Sequence, residues 1–523
     1  MYEYQPMIRP YMKPLVRKVL VPVLLLVVHS APALVYAQDA DTLAQHYARW
    51  IALDELKQDL EVLASDAYEG RDTGKEGQRM AARYIKERFQ AYGVPPVPVN
   101  DPAVIVDGYY QPFELIEEKA GSVSIVSRGQ RLEFLKEIFY FSEDLERDVK
   151  VSSVRFYGDG SALANAKRLK GQVVLTSESG SGNILMMLGT LRGRAEAASR
   201  AGATVLLVAT PRMELLVERF GHYLAGGRMR LAIDGETERG GGGMQTILVD
   251  QRAMERMLGG IDLAKLASAK PGRKVPVDMQ VQRAPQVHRL VSENVLAYIE
   301  GSDKKDELVV ITAHYDHIGV ENGEVYNGAD DDGSGTVAIM AIAKAFAQAK
   351  ANGHGPRRSV LVMPVSGEEK GLLGSRYYSE RPVFPLENTV ANINIDMIGR
   401  VDSIHATSAP YLYVIGSDRL SSELHAINEE ANARYTKLDL DYRFNDRKDP
   451  NRFYYRSDHY NFARKGVPAV FYFSGVHEDY HGPGDTVDKI RFELLHQRAL
   501  LAFHTAWILA NRAERIVVDG QVE

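Results

Sequence analysis

From Asn294 onward the chain alternates short, almost uninterrupted apolar runs with segments of helical periodicity. ENVLAYIEG and ELVVITAH come first, followed by helical SGTVAIMAIAKAFAQA, then SVLVMPVS, NTVANINID, YLYVIG, helical SSELHAINEEANA and AVFYFS. A run that is apolar at every position is a strand covered on both faces, and helices between such runs supply the cover. The segment therefore predicts an α/β domain built on a mixed, mostly parallel sheet flanked by helices. RFELLHQRALLAFHTAWILANRA is expected to close it as an amphipathic helix, with His496 and His504 as packing residues. In such open sheets the carboxyl ends of the parallel strands share one edge, where ligands bind. Loops that follow the apolar runs are thus the places to seek chemistry.

A chain of 523 residues exceeds one ordinary core, so two or more domains are expected. Before the α/β segment, LKQDLEVLASDAYEGRDTGKEGQRMAARYIKERFQAYGV reads as helix, loop, helix. Between Glu117 and Val287 the texture changes to β runs such as GSVSIV, GQVVLTSE, ATVLLVAT and MQTILVD, separated by glycine-rich turns. This is read as an inserted β-rich domain. Its four glycines at 240–243 follow no strand-to-helix phosphate pattern and are expected to form a mobile loop. The expected division is a leader over 1–37, the two parts of a catalytic domain over 41–116 and 288–515, and the insertion over 117–287. The leader has basic MKPLVRKVL, apolar VPVLLLVV too short to span a membrane comfortably, and ALVYA with small residues at Val35 and Ala37. It reads as a signal peptide for export to the bacterial periplasm or beyond, with no membrane span after its removal. A net charge of −6 with mixed signs offers no basic stripe for nucleic acid. The absence of cysteine excludes disulfides and thiolate-held zinc.

The polar residues fall where the sheet would gather them. His314 and Asp316 follow ELVVITA, Glu368 and Glu369 follow SVLVMPVS, and Asp396 ends NTVANINI. Asp330, Asp331 and Asp332 sit in NGADDDGSG before a helix, and His481 follows the last apolar run in EDYHGPGDT. Carboxylates in this number, with two histidines and no thiol, compose a site for a hard-to-borderline metal ion.

HYDH, NGADDDGSG, SGEEKGLLGS, NIDM, RSDHYNFARKGVPA and YHGPGDT, in that order, resemble the co-catalytic di-zinc exopeptidases of the aminopeptidase Y and bacterial leucyl aminopeptidase type. ASDAYEGRDTGKEGQRMAARYI is similar to their opening segment, and the insertion loosely resembles a protease-associated domain. The resemblance implies a zinc-exopeptidase, phosphorylase/hydrolase-like fold with two zinc ions per chain. His314 and Asp396 would hold one ion, Glu369 and His481 the other, and Asp331 would bridge them. Three carboxylates and a bridging hydroxide would balance two divalent ions. Asp316 is expected to orient the His314 ring, and Glu368 to act as general base. Tyr454 is taken as the oxyanion donor, with Tyr480 the second candidate. Asp332 and Asp458 are expected to bond loop amides or hold a ligand, and His317 and His459 to pack or support, while His477 has no assigned role. The resemblance also implies a cis peptide between Asp331 and Asp332.

The expected function is removal of N-terminal residues from peptides. Carboxypeptidase or dipeptidase action on the same site is the rival, because Arg447, Lys448, Arg452 and Arg456 lie near the expected cleft mouth and could bind a terminal carboxylate. A one-zinc glutaminyl cyclase fits less well than a two-zinc enzyme. A metal-free binding protein of the same fold is the reading from another class. The insertion is expected to restrict access to the cleft or to assist homodimerisation.

Overall fold

The computed structural model describes residues 41–522, apart from 100, 143, 182, 226, 234–243, 285 and 408–409. The leader over 1–37 and the glycine run at 240–243 lie outside the described residues. The α/β unit carries a seven-stranded sheet in the order Ala297–Ile299, Arg358–Val365, Lys304–His314, Thr389–Ile395, Ala469–Phe473, Tyr411–Ile415, Asp439–Asp441. Lys304–His314 pairs in parallel with Arg358–Val365 and Thr389–Ile395, and Thr389–Ile395 in parallel with Ala469–Phe473. The short Ala297–Ile299 runs antiparallel, as does Tyr411–Ile415 against Ala469–Phe473. The sheet is thus mixed and parallel at its centre, as its apolar strands predict, and residues 358–365, 389–395 and 469–473 are buried at every position.

Helices Gly335–Ala351 and Phe492–Asn511 pack on this sheet with Leu53–Leu63 and Glu76–Ala91 in one large core. His504 stacks on Tyr435 with ring centroids 3.7 Å apart, and His496 Nε2 lies 2.8 Å from the Ile51 carbonyl. Both histidines of the closing helix are therefore packing residues. No helix among the described residues is long and apolar enough to cross a membrane.

Strands Tyr110–Glu118 and Val287–Val295 pair antiparallel from Tyr110 opposite Val295 to Glu118 opposite Val287, carrying the chain out of the α/β unit and back. Beyond them lies an eight-stranded sheet whose centre, Val149–Phe156, Val173–Ser177, Val205–Thr210 and Gln245–Asp250, is parallel. Helix Ile184–Arg200, capped by the Asn183 side chain, belongs to this unit, which has apolar clusters of its own.

The returning strand carries a half-buried carboxyl, Glu293, beside Gln78, whose amide nitrogen is 3.2 Å from Glu293 Oε1. Burial pushes Glu293 up to about 7, against the opposing effects of Gln78 and Arg79. The folded chain favours the protonated form, so this contribution to stability is full below the unfolded pKa near 4.5 and is lost as pH rises through about 7. Glu293→Gln should therefore stabilise the fold by roughly 1–3 kcal/mol at pH 8 and change little at pH 4.5. Urea unfolding at the two pH values checks this; an equal effect at both would exclude titration of Glu293 as its source.

Candidate metal centre and active site

Four parallel strands end at one edge of the sheet and deliver the polar side chains there. His314 is the last residue of its strand, and Asp396 directly follows Ile395. Glu368 and Glu369 come three and four residues after Val365, and His481 lies beyond Phe473. The loop bearing the three aspartates joins the hairpin Gly319–Glu321/Glu324–Tyr326 to the helix Gly335–Ala351. Gly328 stands at φ +56°, and a Cβ there would meet the Asp331 carbonyl at 2.3 Å and the His317 ring at 2.5 Å. Only glycine fits this turn.

Asp331 turns its two oxygens toward different histidines. Oδ1 is 3.3 Å from His314 Nε2, and Oδ2 is 3.2 Å from His481 Nε2. His314 Nε2 also lies 3.6 Å from Asp396 Oδ1, and His481 Nε2 lies 3.2 Å from Glu369 Oε2. The structure thus brings together His314, Asp331, Glu369, Asp396 and His481 with Asp331 between two sets of donors. The Asp331–Asp332 peptide is cis, as the resemblance implies.

The flanking aspartates build the loop. Asp332 accepts the amides of Gly335 and Met397 at 2.9 Å and of His314 at 3.2 Å, while Asp485 accepts those of Asp330 and Asp331 at 3.0 Å. Arg71, fully buried, donates to the carbonyls of Leu63, Tyr315 and Asn327 at 2.7 Å and of Gly328 at 2.9 Å. It ties the opening helix-loop to both metal-site loops. Ser457 donates to Asp396 Oδ2 at 2.6 Å, and Asp458 accepts the Ser375 hydroxyl. His459 packs against Phe471 with ring centroids 4.8 Å apart, and His477 Nε2 stands 3.3 Å from Asp330 Oδ2. Arg71, Asp485 and Ser457 all lie inside the motifs quoted above, but nothing in a linear motif signals which loop atoms they hold.

Two sequence expectations change in detail. The His314 ring is oriented by the main-chain oxygen of Asp316, 3.1 Å from Nδ1, whereas the nearest carboxylate oxygen is 3.8 Å away. The Asp316 carboxylate instead accepts the Thr73 hydroxyl at 2.7 Å and the Glu368 amide at 3.2 Å, so it positions the strand end that carries Glu368. Tyr454 does not line the cleft. It is buried under the Arg419 guanidinium, 4.3 Å from its ring centroid, because the tight turn Phe453–Tyr455 sends Phe453 to the cleft and Tyr454 inward. Tyr480 is the tyrosine in the cleft wall; it stacks on His481 at 3.9 Å and accepts a hydrogen bond from Arg456 at 3.1 Å.

The cleft is lined by the polar side chains of His314, Asp331, Glu368, Asp396, Arg456, Ser457, Tyr480 and His481 and by the apolar Met397, Phe453, Phe471, Phe473 and Val476. Burial pushes the Glu368 carboxyl well above the usual carboxylate range, and Glu369 and Asp396 add to this against the opposing pull of His314. Burial works against a charge on His481, but Asp331 and Glu369 outweigh it and raise the imidazole to about 10. The site favours positive charge, and its donors suit zinc. Asp331 Oδ2 and Glu369 Oε1 are buried without a hydrogen-bond partner, and donor atoms of His314, Asp331 and Asp396 lie within 4.8 Å of one another.

Residues 294–506 match the family model described as peptidase family M28. A probable zinc metalloprotease of Pyrenophora tritici-repentis is 28% identical over 266 residues, covering 42% of this chain and 51% of that protein. A probable leucine aminopeptidase of Arthroderma otae is 29% identical over 230 residues, covering 43% and 59%. The chain spans about half the length of the curated relatives it matches. Among solved structures, the aminopeptidase from Aneurinibacillus sp. strain AM-1 superposes with a TM-score of 0.53 at 20% identity, covering 91% of this chain and 98% of its own, and shares the fold.

Proposed function

We propose, for a chain whose residues 294–506 match the model described as peptidase family M28, a di-zinc aminopeptidase that removes apolar N-terminal residues from peptides. The observation that carries this is Asp331, whose two oxygens face separate imidazoles, each imidazole having a further carboxylate, in a cleft that three phenylalanines also line. His314 and Asp396 would hold one zinc, Glu369 and His481 the other, with Asp331 shared. Bound zinc supplies the positive charge that polarises the scissile carbonyl and eases deprotonation of water.

The remaining work falls to side chains. Glu368 takes the water proton on a carboxylate oxygen and returns it to the leaving amine. Arg456 donates to Tyr480 Oη, so the tyrosine's own proton is free to hydrogen-bond the developing oxyanion. This gives Tyr480 the role expected of Tyr454. Phe453, Phe471 and Phe473 receive the first side chain, for which burial contributes roughly 1.5–3 kcal/mol. The carboxylates Glu368 and Asp396 beside them suit a protonated free amine.

Arg456 in the cleft wall favours one second reading, capture of a terminal carboxylate by a carboxypeptidase or dipeptidase. Zinc content and cleavage of free, N-acetylated and C-amidated forms of one Leu-headed peptide separate the two. About two zincs per chain, with cleavage of the free and amidated forms and loss on chelation, is the expected result. Cleavage of the acetylated form would exclude the aminopeptidase. Export by the leader over 1–37 and the insertion over 117–287 as a protease-associated domain at the edge of the catalytic unit complete the proposal.

A further inference from the structure

We propose that His317 is a sixth protein ligand of this centre. One zinc is then held by four protein groups, His317, Asp331, Glu369 and His481, and the other by three, His314, Asp331 and Asp396, so the two ions differ in retention. The inference rests on the two-zinc reading above.

His317 is wholly buried, three residues beyond His314, with its main-chain amide 3.2 Å from the Arg71 carbonyl. Its ring faces carboxylates. Nδ1 is 2.9 Å from Glu369 Oε1 and 3.9 Å from Asp331 Oδ2. Neither ring nitrogen has a hydrogen bond of acceptable geometry, and neither do the two oxygens it faces. A buried imidazole is ordinarily satisfied, so this grouping needs an explanation. Packing explains the comparable case of His459, which also has two unpartnered ring nitrogens but lies against the Phe471 ring. His317 has instead the Glu369 carboxylate 2.9 Å from its Nδ1 and the His481 ring edge-on at 6.2 Å.

Its donor geometry matches that of its neighbour. Atoms sharing a tetrahedral zinc at 2.0–2.1 Å stand about 3.3 Å apart. His481 Nε2 is 3.2 Å from both Asp331 Oδ2 and Glu369 Oε2, and the His317 distances straddle the same value. Each oxygen of Glu369 is therefore faced by one imidazole. Donor atoms of His317, Asp331 and Glu369 lie within 4.8 Å of one another. Room for the ring is built in, since any side chain at Gly328 would collide with His317 Cγ. On the other side, the three protein donors leave a position open, the usual difference between a retained and an exchangeable zinc.

The test uses the full chain and Co²⁺ as probe. Metal-free protein is titrated with Co²⁺, its visible spectrum and metal content are recorded, and the metal is then withdrawn with increasing chelator. The wild type should bind two ions and release them in two separated steps. His317→Ala should weaken the tighter step at least about 100-fold, beyond the loss usual for a supporting residue, and alter the spectrum of the ion that leaves last. His317→Asp, which keeps a ligating oxygen, should restore part of the separation. Unfolding of the metal-free variants shows whether the fold is kept. Two ions leaving the wild type in one step, or an unaltered spectrum and affinity in a folded variant, would overturn the inference while leaving the two-zinc reading intact. A wild type that binds no metal would remove both.

Discussion

Glu368→Gln is expected to keep the fold and the metal content while lowering kcat by about 10²–10⁴-fold, the range that general acid–base catalysis supplies. The substitution is isosteric. The Glu368 main-chain amide still donates to Asp316 Oδ1, so the strand end stays in place. What disappears is a carboxylate that lines the cleft 3.9 Å from His314 Nε2 and can accept and release a proton. Metal analysis and steady-state kinetics on one Leu-headed peptide measure the two quantities separately. A variant with wild-type turnover would reject Glu368 as the base, and one that has lost metal would make it a structural group.

Asp331→Ala should lose metal and stability together. Its carboxylate lies between His314 and His481, and although burial opposes the charge, the two neighbouring imidazoles hold its pKa well below the usual range. A depressed pKa means that the contribution is present at neutral pH and is lost as pH falls through the folded value. Removing one member of a buried charged group costs about 3–5 kcal/mol. A ligand at a hundredfold excess over its Kd adds about 2.7 kcal/mol to the wild type, which the variant would forgo. Zinc content after dialysis, with urea unfolding before and after chelation, reads both effects. Retention of two zincs would contradict the bridging role. Equal unfolding with and without chelator is expected of the variant alone.

The architecture was legible because it rests on local patterns. Apolar runs without alternation became the buried strands at the sheet centre, and the helical periods became their cover. Polar residues at the ends of those runs had to share one edge once the strands were parallel, so His314, Asp396 and the Glu368–Glu369 pair met as their positions required. Adjacent residues divide between the two histidine groups. Glu368 approaches His314, and Glu369 approaches His317 and His481.

The details that escaped the sequence all concern side-chain direction in loops. Tyr454 and Tyr480 both follow motif positions, but the tight turn at 453–455 buries the first against Arg419 while the second stacks on His481 in the cleft. Asp316 orients His314 with its carbonyl and spends its carboxylate on Thr73 and Glu368, and Thr73 arrives from a segment far away in the chain. Arg71, a motif residue given no role by the sequence, is fully buried on four carbonyls. By itself, the sequence determined the sheet, the edge that carries the site and the residue types gathered there, because strand burial and side-chain period are local properties. Only the tertiary structure decided which atom of each residue faces which partner, because loop dihedrals follow from contacts between segments hundreds of residues apart.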